Sequence, residues 1–130
     1  MSNTKTVMSQ AANTQGIPLD ITDVFSTYLY DGNGSTQTIT NGIDLDGEGG
    51  MVWLKSRTNS YHHGIYDTAR GATKVIYPSL PNSEDSLAGL LDSFNSDGFT
   101  LGSSENSNFS SGSSASWTFR KAPKFFDVVT

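Results

Sequence analysis

The stretch Gly49-Gly50-Met51-Val52-Trp53-Leu54-Lys55 decides the fold class of this chain. Successive side chains of a strand point to opposite faces, so Val52 and Leu54 share one face while Met51 and Trp53 share the other. A strand apolar on both faces belongs inside a sheet. The preceding Asp46-Gly47-Glu48-Gly49-Gly50 is rich in turn formers. Working outward, Tyr61 to Asp67, Thr73 to Tyr77, Phe99 to Leu101 and Trp117 to Phe119 repeat the pattern of short alternating runs. They are broken by Arg70-Gly71, by Pro78 and Pro81, by Asp97-Gly98 and by a Ser-rich stretch. This arrangement predicts an all-β, antiparallel β-sandwich.

Upstream, Val24 to Tyr30 runs into Asp31-Gly32-Asn33-Gly34, and Gln37 to Leu45 resumes with Ile39, Ile43 and Leu45 on one face. The pair predicts a β-hairpin. Leu87, Leu90, Leu91 and Phe94 recur at i, i+3, i+4 and i+7 behind Asn82 or Ser83, which predicts one short helical segment; Gly89 inside it leaves an extended segment as the alternative. Gly102 to Ser116, dominated by Ser, Asn and Gly, reads as a flexible loop between strands. Residues 1–16 have few apolar side chains and no sustained period, and read as an extended, flexible or anchoring N-terminal arm ahead of a sandwich domain at residues 17–130.

The composition fits one core in 130 residues, with 35% hydrophobic and only 16% charged residues. A net charge of −5 with 8 scattered basic residues argues against nucleic acid, whose binding depends on neutralised phosphates. The absence of cysteine removes disulfides, thiolate nucleophiles and thiolate metal ligands. No run has the length and apolarity of a membrane span or signal peptide, so no membrane insertion is expected.

Motifs for chemistry are sparse. His62 and His63 are adjacent in a predicted strand, so their imidazoles diverge and do not converge on one ion. There is no Gly-x-Ser-x-Gly elbow for a serine nucleophile. Glu84-Asp85 suits a helix N-terminus, and Asp44-Leu45-Asp46-Gly47-Glu48 has only part of a calcium-loop pattern, so an acidic turn is its default reading. Trp53, Tyr61, Tyr66, Trp117 and Phe119 offer material for a sugar-stacking platform, although core packing is the commoner fate of strand aromatics. Arg57, Asp67 and Arg70 form a candidate charge set. The expectation is a protein that is not an enzyme, with no catalytic residue, metal or cofactor. A weak set of partner or glycan contacts remains: Tyr61, His62, His63, Tyr66 and Arg70.

Four segments taken in order carry a family resemblance: Gly49 to Lys55, Tyr66-Asp67-Thr68-Ala69-Arg70-Gly71, Ser93-Phe94-Asn95-Ser96-Asp97-Gly98-Phe99-Thr100-Leu101-Gly102, and Trp117-Thr118-Phe119-Arg120-Lys121-Ala122-Pro123. Over Val24 to Thr130 the chain resembles a domain of tailed-bacteriophage structural proteins, especially marine ones, found in tail fibres. The resemblance implies a concanavalin-like jelly roll and a virion structural protein made in the host cytoplasm. Its expected role is the particle-attaching part of a tail fibre, with other virion proteins as partners and a homotrimer as the usual fibre symmetry. The alternatives are a glycan-binding module for host recognition and a capsid-surface fibre or decoration protein. Phe125 to Thr130 reads as a strand that echoes Phe25-Ser26-Thr27-Tyr28-Leu29. It is either the start of a further copy, which makes this chain the leading part of a longer fibre, or a strand completing the sheet.

Overall fold

A computed structural model describes residues 18–130, and the arm expected at residues 1–16 lies outside them. The first sheet contains β1 (Phe25–Asp31), β9 (Ser113–Arg120), β3 (Gly50–Ser56) and β4 (Gly64–Asp67) in that order. The second contains β2 (Gln37–Thr40), β8 (Gly98–Leu101) and β7 (Leu91–Asn95). A small ribbon joins β5 (Lys74–Val75) to β6 (Asp85–Ser86), and all pairings are antiparallel. Among the described residues three single-turn helices occur: α1 (Ile21–Val24) leads into β1, α2 (Leu45–Glu48) joins β2 to β3, and α3 (Glu105–Asn108) joins β8 to β9.

The expected all-β architecture and the interior position of β3 are both observed, with β9 on one side of β3 and β4 on the other. The inner face of the first sheet contributes Tyr30, Val52, Leu54 and Tyr66 to the core. The second sheet contributes Ile39, Leu91, Phe99 and Leu101. Ile43, Leu45 and Leu90 from the connections, and Val75 of β5, close the space between them.

Four local expectations fail, each for an identifiable reason. β1 and β2 do not form a hairpin: β1 pairs with β9 and β2 with β8, so Asp31 to Gly34 carries the chain from one sheet to the other. Asn108 holds this crossing. Its Oδ1 accepts from Asn33 N and Gln37 Nε2 at 2.9 Å each, its Nδ2 lies 2.5 Å from Ser35 O and 2.9 Å from Gly102 O, and its own carbonyl accepts from Gly34 N. Gly32 fits because a Cβ there would stand 2.1 Å from Phe109 O.

Around Leu87 to Phe94 the helical segment is absent and its extended alternative holds, the chain forming β6, a turn and β7. Gly89 takes φ +84, outside the helical region, and Gly102 packs against it so closely that a Cβ on Gly102 would lie 2.4 Å from Gly89 Cα. Leu90 and Leu91 are both buried through the turn geometry, without helical period. The stretch from Gly102 to Ser116 is built structure, containing α3, the fully buried Asn108 and half of β9. Finally, Phe125 to Thr130 contains no strand; the chain closes on itself through Ala122 N to Phe126 O at 3.0 Å and Phe126 N to Ala122 O at 3.2 Å.

Candidate functional site

The most unusual feature of the fold is the polarity of β9. In a strand with one buried face the apolar residues normally point inward. Here Ser114, Ser116 and Thr118 are the buried set, while Trp117 and Phe119 of the alternate set face outward and are only partly covered. Two of these hydroxyls have partners: Ser116 Oγ donates to Tyr28 O at 3.1 Å, and Thr118 Oγ1 accepts from Asn41 Nδ2 at 3.0 Å. Their small volumes leave room for the large core residues of the second sheet.

The strand register then assembles an aromatic outer face. Phe25, Phe119, Met51 and Asp67 form one row across the sheet, and Thr27, Trp117, Trp53 and Ile65 form the next. Leu29, Ala115 and Lys55 begin a third. Within this face the Phe25 and Phe119 rings are 4.9 Å apart, Phe126 stacks on Phe119 at 5.3 Å, and Trp53 meets Trp117 edge-on at 6.3 Å. Such pairs stabilise one another beyond their area alone and form a rigid surface.

His63 borders this face. Trp53 Nε1 donates to His63 Nδ1 at 2.9 Å, which requires that nitrogen to be unprotonated. Burial, the nearby Lys55 ammonium and His62 push the His63 pKa below its ordinary value. The Lys55 ammonium is anchored by the carbonyls of Ser56, Asn59 and Tyr61 at 2.6, 3.4 and 3.3 Å, which fixes the loop leading to His63.

The sequence-derived contact set does not assemble into one site. His62 turns away from His63, as expected, to lie 3.2 Å from Ser79 Oγ with its ring edge-on to Tyr77. Tyr61 packs edge-on to Phe109. Tyr66 is 2% exposed and belongs to the core, where no partner can reach it. Arg70 is committed to Asp67 Oδ2 at 2.5 Å and Glu84 Oε2 at 3.1 Å; Glu84, not Arg57, completes the charge set. Tyr61 and Tyr66 read from the sequence as the most exposed of the strand aromatics, yet Tyr66 is buried, whereas Trp53, Trp117 and Phe119, for which core packing is the commoner fate, lie on the outer face and are only partly covered. Phe25 and Phe126 also belong to that face, although no local pattern marks them for it. The polar half of the β9 alternation, Ser-x-Ser-x-Thr, held the signal.

The acidic turn performs a structural task, because Asp44 Oδ1 accepts from Gly47 N at 2.7 Å and caps α2. Among the described residues no three His, Asp or Glu side chains are placed to hold one metal ion. No described helix is long and apolar enough to cross a membrane. A shallow cleft of about 660 Å³ lies between Glu48 and the turn from Lys121 to Asp127, beside Phe126.

No curated protein and no solved structure matches the chain. Residues 20–124, which contain both sheets, match the family described as Domain of unknown function (DUF7483), and the chain belongs to that family.

Proposed function

We propose that this chain is a structural module of a bacteriophage virion, the particle-attaching part of a tail fibre, and that it joins neighbouring proteins through the aromatic face of the four-stranded sheet. The observation that carries the association surface is the inverted polarity of β9, which spends buried positions on Ser114, Ser116 and Thr118 and presents Trp117 and Phe119 outward. Partly covered aromatic clusters of this kind are enriched where proteins meet. The virion context is supported by the order of the four sequence segments. A concanavalin-type jelly roll and threefold fibre symmetry belong to the same reading.

Locating the chain by electron microscopy of the particle tests the context, and a double variant tests the surface. Trp117→Ser with Phe119→Ser should retain the β-type circular dichroism spectrum while incorporation into particles falls at least tenfold. Wild-type incorporation of the folded variant would remove the aromatic face from assembly. Glycan recognition is the second reading, favoured by Tyr61 and His62, adjacent in the segment between β3 and β4. A glycan-array signal lost in Tyr61→Ala would establish it.

A further inference from the structure

The two edges of the four-stranded sheet are treated differently. The β4 edge is closed by Ile76, which exchanges backbone hydrogen bonds with Ile65 at 2.9 and 3.0 Å. The β1 edge has no such cover among the described residues, and its seven residues Phe-Ser-Thr-Tyr-Leu-Tyr-Asp include no Lys, no Pro and no bulge against β9. These are the usual devices that keep an edge from pairing.

The ladder phase shows which backbone groups face outward. Gly32 N donates to Gly112 O at 2.8 Å, one step beyond the Asp31–Ser113 pair. Bonds in an antiparallel ladder alternate, so Ser26, Tyr28 and Tyr30 bond to β9 and Phe25, Thr27, Leu29 and Asp31 aim at the open edge. Two of those groups are already used: Phe25 N–H donates to Ile21 O, and Asp31 O accepts from Gln37 Nε2 at 3.1 Å. Among the described residues, the N–H groups of Thr27, Leu29 and Asp31 and the carbonyls of Phe25, Thr27 and Leu29 have no protein partner.

This set is self-complementary. We propose that β1 is the pairing edge for a second copy of this chain, the two strands running antiparallel about a two-fold axis at Tyr28. In that register Thr27 faces Leu29 of the other copy and exchanges both bonds with it, twice over. Asp31 faces Phe25 of the other copy, where the open N–H of one meets the open carbonyl of the other. The bonds this pair does not make are those whose donor and acceptor are already occupied at Phe25 and Asp31. Centring the axis on Thr27 or Leu29 instead leaves an open donor and an open acceptor on each strand. Leu29, 62% exposed on the aromatic side of the sheet, would be covered against Thr27 of the other copy, and the two aromatic faces would become continuous. This pairing does not depend on the virion context, and its two-fold axis stands against the threefold symmetry attached to that reading.

Three measurements on the full chain test it. Light scattering across micromolar to millimolar concentration should show a dimer. Amide exchange should show Thr27, Leu29 and Asp31 gaining protection as concentration rises, while Tyr28 and Tyr30 stay protected throughout. The chain has no cysteine, so Tyr28→Cys places one thiol beside its own equivalent at a non-hydrogen-bonded pair. The Cα separation there is about 4.5 Å, within disulfide reach. Mild oxidation should cross-link Tyr28→Cys but not Ser26→Cys. Leu29→Lys should weaken the dimer at least tenfold with an unchanged circular dichroism spectrum. A monomer at all concentrations, a trimer, concentration-independent protection of Thr27 and Leu29, or equal cross-linking of both cysteine variants would each overturn the pairing. A trimer would do so while supporting the fibre reading.

Discussion

Asn108→Asp is an almost isosteric change that should nevertheless cost a large part of the stability. Asn108 is fully buried, and its Nδ2 lies 2.5 Å from Ser35 O, 2.9 Å from Gly102 O and 3.1 Å from Asn33 Oδ1. The substitution turns this donor into an acceptor facing acceptors. Each lost bond is worth about 1 kcal/mol net, and leaving the buried Gly102 carbonyl unsatisfied adds about 1–3 kcal/mol. Desolvating a carboxylate adds more, so the total is at least about 4 kcal/mol from a typical domain stability of about 5–15 kcal/mol. With a urea slope of about 2 kcal/mol/M, the unfolding midpoint should fall by roughly 2 M. Burial raises the pKa of the introduced carboxyl, and its protonated form recovers one donor. The deficit should therefore shrink as pH falls toward 4 and be largest at neutral pH. Asn106→Asp, on the exposed side of α3, is the control and should be nearly neutral. A midpoint for Asn108→Asp within about 0.3 M of wild type would refute the argument that this side chain holds the crossing between the sheets.

Two further outcomes follow from the core. Leu54, 3% exposed on the inner face of β3, should cost about 2–5 kcal/mol when changed to Ala; wild-type thermal stability of that variant would show the β3 register to be wrong. Burial pushes the Tyr30 hydroxyl, which donates to Ser107 O at 2.6 Å, up to about 12, and burial raises Tyr66 as well. A folded-state pKa above the unfolded value of about 10 gives stability that is complete below pH 10 and lost as pH rises toward 12. For Tyr30 the loss approaches about 3 kcal/mol. Chemical denaturation at pH 9 and pH 11.5 measures it, Tyr30→Phe should flatten part of the slope, and equal stability at the two pH values would contradict it.

Local periodicity encodes the strand faces and the turns between them. Alternation in Met51 to Lys55 placed Val52 and Leu54 on a buried face and β3 inside a sheet, and both follow from the two-residue repeat of a strand. Asp97-Gly98 marked the turn into β8 because Gly98 takes φ +153 with no room for a side chain, a Cβ there standing 1.9 Å from Ile39 O. His62 and His63 do diverge, but not by strand alternation, because the expected strand from Tyr61 begins only at Gly64; His62 lies against Ser79 and Tyr77, and His63 against Trp53.

Which strands meet, and which face of β9 turns inward, depends on contacts between residues far apart in the chain. A turn rich in Asn and Gly is compatible with a hairpin or with a crossing between sheets. The choice at Asp31 to Gly34 lay with Asn108, some seventy residues away and inside a stretch whose composition suggested a loop. The alternation Ser-Ala-Ser-Trp-Thr-Phe likewise defines two faces without naming the inner one. Trp117 and Phe119 face outward because the interior opposite β9 is already filled by large residues of the second sheet, which accept Ser114, Ser116 and Thr118 but no further ring. Periodicity is a property of neighbours along the chain, whereas the volume left at a core position is set by residues distant in sequence, and this difference separates the legible part of the fold from the rest.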